Sequence, residues 1–240
     1  MCAIDNPETI LSHHGFLLIN KPTWLSSFGV VHQLRPITGE KKIGHAGTLD
    51  PFATGLLIVG IGKMYTTRLE EIQGLSKEYV ATMVLGVGTD TMDCTGKVKQ
   101  LNVVKNTVVT DKMINDAIAP FIGDFMQEPP IFSAKNVDGK RAYKLARKGR
   151  VTSLEKVPVF VSGITVLDIR NGLFPEITIR VNCSKGTYIR SLVRDIAKEL
   201  NTCAFTKCLT RTKIGEYGVK NAVILEGLTL EKICQNIIKI

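Results

Sequence analysis

The chain has 240 residues, of which 44% are hydrophobic and 22% are charged, and these fractions exclude a disordered polypeptide. A chain of this length can bury a sizeable core in one or two domains. The formal net charge of +9 indicates a polyanionic partner, although many basic proteins bind nothing acidic.

No apolar run approaches the length of a membrane span, and no basic-then-apolar leader opens the chain. The six cysteines include no CxxC pair, and no histidine stands at zinc-finger spacing. We therefore expect a cytoplasmic protein with reduced, mostly buried thiols, no metal site and no contact with membranes.

Hydrophobic periodicity and turn signals divide the chain into short elements after a polar N-terminus, residues 1–14, which we expect to be flexible. A serine at 26 or 27 caps the first helix, and Pro36 and Gly39 are expected to end it. The predicted strands cover 16–20, 55–61, 77–86, 157–169, 174–183 and 209–215, and the predicted helices cover 28–34, 63–73, 111–121, 187–200, 220–225 and 229–238. These patterns alone favour a basic α+β domain.

The most informative stretch is GHAGTLDPFATG, residues 44–55, which precedes the apolar strand. Gly44 and Gly47 indicate a tight loop, and Pro51 disfavours helical backbone at Asp50. Asp50 is therefore either a pre-positioned catalytic carboxylate or an ordinary turn residue that caps its neighbours.

A second informative stretch is the basic segment at 135–150, which contains Lys140, Arg141 and Arg147. Cations on such a helix either follow a phosphate backbone or form a solvated basic face. The acidic stretch at 88–96 lacks the alternating oxygen ligands of a calcium loop.

These stretches resemble the TruB family of tRNA pseudouridine synthases, in five motif blocks that cover about residues 15–235. GHAGTLDPFATGLL is similar to the family signature, whose aspartate is catalytic and corresponds to Asp50, with His45 at the motif histidine. The sequence departs from the family pattern at three places. Trp24 stands where glycine is more usual, and Phe132 replaces a tyrosine. At Lys135-Asn136 the lysine comes first, whereas family members commonly have an apolar residue followed by a lysine.

The resemblance also implies roles for residues in the other blocks. Tyr79 would lie against the target base, Leu209 would border its pocket, and Arg190 in CSKGTYIRSLVRDIA would pair with the catalytic carboxylate. The residues expected to bind the substrate are His45, Leu209, Lys21, Tyr188, Lys140, Arg141 and Arg147. The basic segment at 135–150 is expected to grip phosphates together with Lys21, Arg35, Lys41 and Lys42.

The implied fold is an α+β pseudouridine synthase fold, with a mixed, largely antiparallel central sheet flanked by helices. One catalytic domain would occupy residues 15–240. We expect a monomer without the C-terminal RNA-binding module, called PUA, that many members carry.

The implied activity converts uridine to pseudouridine in the T-loop of tRNA, conventionally position 55, after the base is flipped out of its stack. No metal or other cofactor is expected. Asp50 would attack or deprotonate the ribose, and His45 would fill the vacated space unless it only makes a structural hydrogen bond. Two other functions stay open: a non-catalytic RNA-folding factor that binds tRNA, and a base-cleaving glycosylase.

Overall fold

The computed structural model describes residues 13–103, 108–133, 135–137, 140–146 and 153–239. Contacts within the chain divide it into two compact units. The first unit comprises residues 1–78 and 210–240, and the second unit comprises residues 79–209. Strands β4 (Lys77–Leu85) and β12 (Ala204–Ile214) carry the chain from one unit into the other.

In the first unit, β1 (Gly15–Lys21) and β3 (Thr54–Ile61) form an antiparallel pair in which Leu18 lies opposite Ile58. On the other edge of β3, the C-terminal part of β12 pairs in parallel, with Thr210 opposite Thr54. The remaining elements of this unit surround these strands. The elements are β1 (Gly15–Lys21), α1 (Ser27–Thr38), β2 (Ile43–Ala46), β3 (Thr54–Ile61), α2 (Lys63–Thr67), α3 (Leu69–Gly74), β13 (Tyr217–Gly218), β14 (Val223–Ile224) and α7 (Leu230–Asn236).

Strands β1 and β3 are apolar on both faces because each face packs against a separate cluster. Leu17 and Val59 belong to a cluster with α1 and α7, whereas Leu18 and Ile58 belong to one with α2 and α3. A strand that is covered on both sides needs a continuous apolar run, and both strands have one. The loop between β2 and β3 is thereby attached to a fully buried strand.

In the second unit, the long antiparallel pair of β10 (Val157–Arg170) and β11 (Glu176–Cys183) lies between β4 and β7 (Gly123–Gln127). Helix α6 (Ile189–Glu199) is amphipathic, with Leu192, Val193 and Ile196 fully buried. The elements are β5 (Val87–Thr89), β6 (Val98–Leu101), α4 (Asp111–Ile118), β7 (Gly123–Gln127), β8 (Asn136–Val137), β9 (Lys140–Arg141), α5 (Ala142–Ala146), β10 (Val157–Arg170), β11 (Glu176–Cys183) and α6 (Ile189–Glu199).

The predicted α+β fold with a mixed, largely antiparallel sheet is confirmed, and most predicted elements occur within a few residues of their expected bounds. Helix α1 differs because it continues through Pro36 to Thr38 and ends at Gly39, whose φ is +67°. Proline has a helical φ, so in the last turn it loses only one hydrogen bond. The helix predicted at 220–225 is wrong, since a 3-10 turn and strand β14 occupy that region.

One further expectation needs correction. Among the described cysteines, only Cys183 and Cys203 are buried. The structure describes residues 135–137 and 140–146 of the basic segment, and α5 covers Ala142–Ala146 there. No helix in the described ranges has the length and apolarity needed to cross a membrane.

Candidate active site

The loop that carries Asp50, residues 47–53, joins β2 to β3 and is called the Asp50 loop below. Its apolar side chains are anchored, because Leu49, Phe52 and Ala53 are each at most 5% exposed. The amide of Ala53 donates to the carbonyl of Asp50 at 3.1 Å and closes a tight turn. Asp50 itself is half-buried. A carboxylate is thus presented on a loop whose flanking side chains cannot move freely.

Two hydroxyl groups from the segment after β1 hold the backbone of this loop. The Ser27 hydroxyl accepts from the Leu49 amide at 2.9 Å and donates to the Leu49 carbonyl at 3.1 Å. The Thr23 hydroxyl donates to the Phe52 carbonyl at 3.0 Å. The backbone is therefore fixed on both sides of Asp50, which is the pre-organisation that catalytic groups require.

Lys21 is fully buried rather than exposed. Its ammonium donates to the carbonyls of Pro22 at 2.8 Å, Leu25 at 2.6 Å and Pro51 at 3.3 Å. The Lys21 ammonium therefore holds the backbone of the Asp50 loop through the Pro51 carbonyl. The predicted contact of Lys21 with the substrate remains a prediction.

Burial and two neighbouring charges shift the pKa of Lys21. Burial lowers the pKa of Lys21 to about 8, the negative charge of Asp50 opposes that shift, and the positive charge of Arg211 adds to it. Lys21, Asp50 and Arg211 are therefore close enough to interact electrostatically.

Arg211 is a positioning residue that the prediction did not single out. Its side chain is 1% exposed, and its guanidinium donates to the carbonyls of Leu56 at 2.8 Å and Gly47 at 2.9 Å. The backbone of Arg211 also lies against Gly55, where a Cβ atom would meet the Arg211 carbonyl oxygen at 2.3 Å. Arg211 therefore fixes the start of the Asp50 loop, and Gly55 permits the close approach.

His45 lies on β2, just before the loop, and is half-buried. Burial and the positive charge of Arg211 lower its pKa, so the imidazole is neutral at pH 7. Its Nδ1 is buried and has no hydrogen-bond partner among the described residues. A purely structural hydrogen bond through Nδ1 is thus not seen, and a neutral aromatic ring is suited to stacking.

His45 also lines a surface cleft of about 680 Å³. Its wall includes three cations, of which Lys41 and Lys42 are exposed and Arg35 is half-buried. The expectation that these three residues grip phosphates remains a prediction, and their placement is compatible with it.

Trp24 occupies a backbone conformation that glycine adopts without strain. Its φ is +64°, in the left-handed region, which explains why glycine is the more usual residue at this position. The Trp24 amide donates to the Pro51 carbonyl at 2.7 Å. The departure from the family pattern therefore leaves the contact with the Asp50 loop in place.

In the second unit, Arg190 is buried at the start of α6. Its guanidinium donates to the carbonyls of Thr91 at 2.8 Å and Phe132 at 2.9 Å, and it lies 3.3 Å from the carboxylate of Asp93. Asp93 in turn accepts from Thr95. Arg190 thus joins three segments of this unit, and its pairing with Asp50 remains a prediction.

The other predicted site residues of the second unit have defined positions. Tyr188 precedes α6, where Gln127 bonds both its amide and its carbonyl. Tyr79 is half-buried on β4, and Leu209 is 6% exposed on β12. Their roles around the target base remain predictions.

The predicted phosphate contacts of the basic segment are only partly described. Lys140 and Arg141 lie on the short strand β9, whereas Arg147 lies outside the described residues. A search of the described residues found no group of three or more His, Cys, Asp or Glu side chains that could hold a metal ion.

The chain is similar to proteins of known family. Residues 35–189 match the model of the N-terminal domain of TruB family pseudouridylate synthases. A tRNA pseudouridine synthase B from Protochlamydia amoebophila is 43% identical over 226 residues, which are 94% of this chain and 84% of the relative. One from Phocaeicola vulgatus is 42% identical over 88% of this chain and 90% of the relative.

Solved structures agree with this relationship. A Cbf5-Nop10-Gar1 complex matches with a TM-score of 0.69 and 26% identity over 97% of this chain. An H/ACA RNP bound to a substrate RNA containing 2'-deoxyuridine matches with a TM-score of 0.66 and 26% identity over 94% of this chain. This chain spans 62% and 55% of those chains, respectively. The chain therefore belongs to the TruB family of pseudouridylate synthases.

Proposed function

We propose that this protein isomerises uridine to pseudouridine in tRNA and that Asp50 is its catalytic residue. The names of the curated relatives support the substrate and the reaction. The observation that carries the role of Asp50 is the set of hydrogen bonds that hold Leu49, Pro51 and Phe52 on either side of it.

The reaction breaks the bond between uracil N1 and the ribose, turns the base, and joins its C5 to the same ribose carbon. The proton that leaves C5 is matched by one gained at N1, so the product is an isomer of the substrate. Asp50 assists the first bond cleavage either as a nucleophile at the sugar or as a base that deprotonates it. Tyr79 supplies a stacking face and Leu209 an apolar wall for the detached base.

The target in this proposal is the T-loop uridine at conventional position 55, which the enzyme extrudes from its stack at an expense of a few kcal/mol. His45, as a neutral ring, fills the space that the base leaves. Lys41, Lys42, Arg35 and the basic segment around Lys140 and Arg141 contact phosphates. The proposed enzyme acts in the cytoplasm. It is a monomer in this proposal, and analytical ultracentrifugation measures that oligomeric state directly.

Asp50→Asn is the decisive variant. We expect pseudouridine formation in an unmodified tRNA transcript to be abolished, while the Kd for tRNA stays within about tenfold of the wild type because phosphate contacts dominate binding. Chemical labelling of pseudouridine measures the first quantity, and filter binding measures the second.

Asp116→Asn is the matched control for the same change of charge, because Asp116 is 67% exposed on α4 and pairs with Lys112 at the surface. It should retain full activity. Full activity of Asp50→Asn would overturn the catalytic role of Asp50. Release of free uracil in place of pseudouridine would identify a glycosylase instead.

A further inference from the structure

Trp24 has an unusual backbone conformation for a bulky residue. Only three described residues other than glycine have a positive φ, namely Trp24, Met92 and Asn201. Asparagine tolerates this region, whereas a tryptophan in it carries a conformational cost that glycine would not. Residues in such conformations cluster at functional sites, so this outlier raises the question of what the Trp24 side chain is used for.

The Trp24 side chain does not serve to hold the Asp50 loop. The hydrogen bond from Trp24 to the Pro51 carbonyl comes from the backbone amide, which glycine would supply equally well. The use is not core packing either, because Trp24 is 68% exposed. The indole ring is thus left free for contact outside the chain, beside the loop that carries Asp50.

Other side chains of the first unit favour an anionic partner with flat rings. The guanidinium of Arg35 lies 5.6 Å from the centre of the Phe28 ring, and Phe28 is itself 60% exposed. The exposed Lys41 and Lys42 add further positive charge to this unit. Aromatic rings among cations are the combination that binds unpaired nucleotides, because the bases stack while the cations meet the phosphates.

We propose that Trp24 stacks on a nucleobase of the bound tRNA, next to the nucleotide on which Asp50 acts. This inference rests on the proposed function, since it takes tRNA as the ligand. It adds a contact that a family member with glycine at this position would lack.

The fluorescence of the wild-type protein tests the contact without any substitution, because Trp24 is the only tryptophan of the chain. Titration with an unmodified tRNA transcript should quench the emission saturably, with the midpoint at the Kd from filter binding. Heparin, a polyanion without bases, should occupy the cations without comparable quenching. Unchanged emission at saturating tRNA, or equal quenching by heparin, would overturn the proposal.

Substitutions test the energetic contribution of the ring. Trp24→Gly should raise the Kd for tRNA about tenfold, whereas Trp24→Phe, which keeps a stacking face, should raise it less than about threefold. Ile224→Ala is the matched control, because Ile224 is also 68% exposed in the first unit, and its Kd should equal the wild-type value. The Tm of Trp24→Gly should be no lower than that of the wild type, since glycine relieves the strain.

Pseudouridine assays on the same samples separate the two proposals. If the wild type forms pseudouridine and Trp24→Gly has an unchanged Kd and KM, the stacking contact is refuted and the proposed function stands. If the wild type forms no pseudouridine, the proposed function fails, and the quenching by tRNA still decides whether Trp24 meets a base.

Discussion

The buried ammonium of Lys21 makes the Asp50 loop sensitive to pH. With a pKa of about 8, Lys21 is mostly protonated at pH 7 and loses its proton in mildly alkaline solution. The neutral amine bonds the Pro51 carbonyl more weakly and no longer attracts the Asp50 carboxylate.

We therefore expect the rate of pseudouridine formation to fall as the pH rises through about 8. Lys21→Met should be slower than the wild type at pH 7, and its rate should not fall over the same interval. Single-turnover rates between pH 6.5 and 9.5 measure both profiles. An identical decline in the two proteins would assign the pH dependence to another group.

Unfolding does not explain such a decline, as the sign of the linkage shows. The folded-state pKa of Lys21 is lowered, so between about pH 8 and 10.5 the unfolded chain binds more protons than the folded one. The contribution of this residue to stability therefore increases with pH in that window, and a Tm measured at each pH separates the two effects.

His45 offers a second test at a single side chain. If its neutral ring acts by stacking, His45→Phe should keep the rate within about threefold, and His45→Ala should lose about tenfold or more. Pseudouridine formation at fixed tRNA concentration compares them. An equal loss in both variants would show that an imidazole nitrogen is required, with Nδ1, which has no partner among the described residues, as the candidate.

Gly55 determines how closely β3 and β12 can approach each other. Its φ is +99°, and an added Cβ would meet the Arg211 carbonyl oxygen at 2.3 Å. Gly55→Ala should therefore destabilise the fold by about 3 kcal/mol, which corresponds to a fall of roughly 10 °C in Tm. Calorimetry measures this change.

Gly172→Ala is the control for Gly55→Ala, because no heavy atom of the described residues, apart from Gly172 and its two chain neighbours, lies within 4 Å of the position where its Cβ would be. Its Tm should stay within about 2 °C of the wild type. A Gly55→Ala protein as stable as this control would show that β12 can shift without affecting the loop.

The strands could be predicted from the sequence because they are covered on both faces, so that β1 and β3 appear as uninterrupted apolar runs. The positioning of the Asp50 loop could not be predicted from the sequence. Lys21 precedes a proline and looks like a surface cation, and only the packing around it shows that its ammonium is buried. Arg211 reaches Gly47 because β12 pairs with β3, a contact between residues more than 150 positions apart. Local patterns carry no information on such pairings.

The net charge of +9 makes the affinity for tRNA dependent on salt. If about four phosphates are neutralised, the Kd should weaken about a hundredfold between 50 and 200 mM salt. Asp50→Asn should show the same slope, because its side chain contacts no phosphate in the proposed complex. Filter binding over this range measures the slope, and a slope near zero would mean that the excess of cations serves another purpose.

The side chains of Ser27, Thr23, Lys21 and Arg211 donate hydrogen bonds to main-chain carbonyls of the Asp50 loop. An inactive Asp50→Asn protein should therefore keep its docking surface and hold its RNA without releasing product. Expressed in cells with an affinity handle and cross-linked by ultraviolet light, such a protein would act as a substrate trap. Sequencing the captured fragments would then identify the RNA targets in the cell, which an active enzyme would release after each turnover.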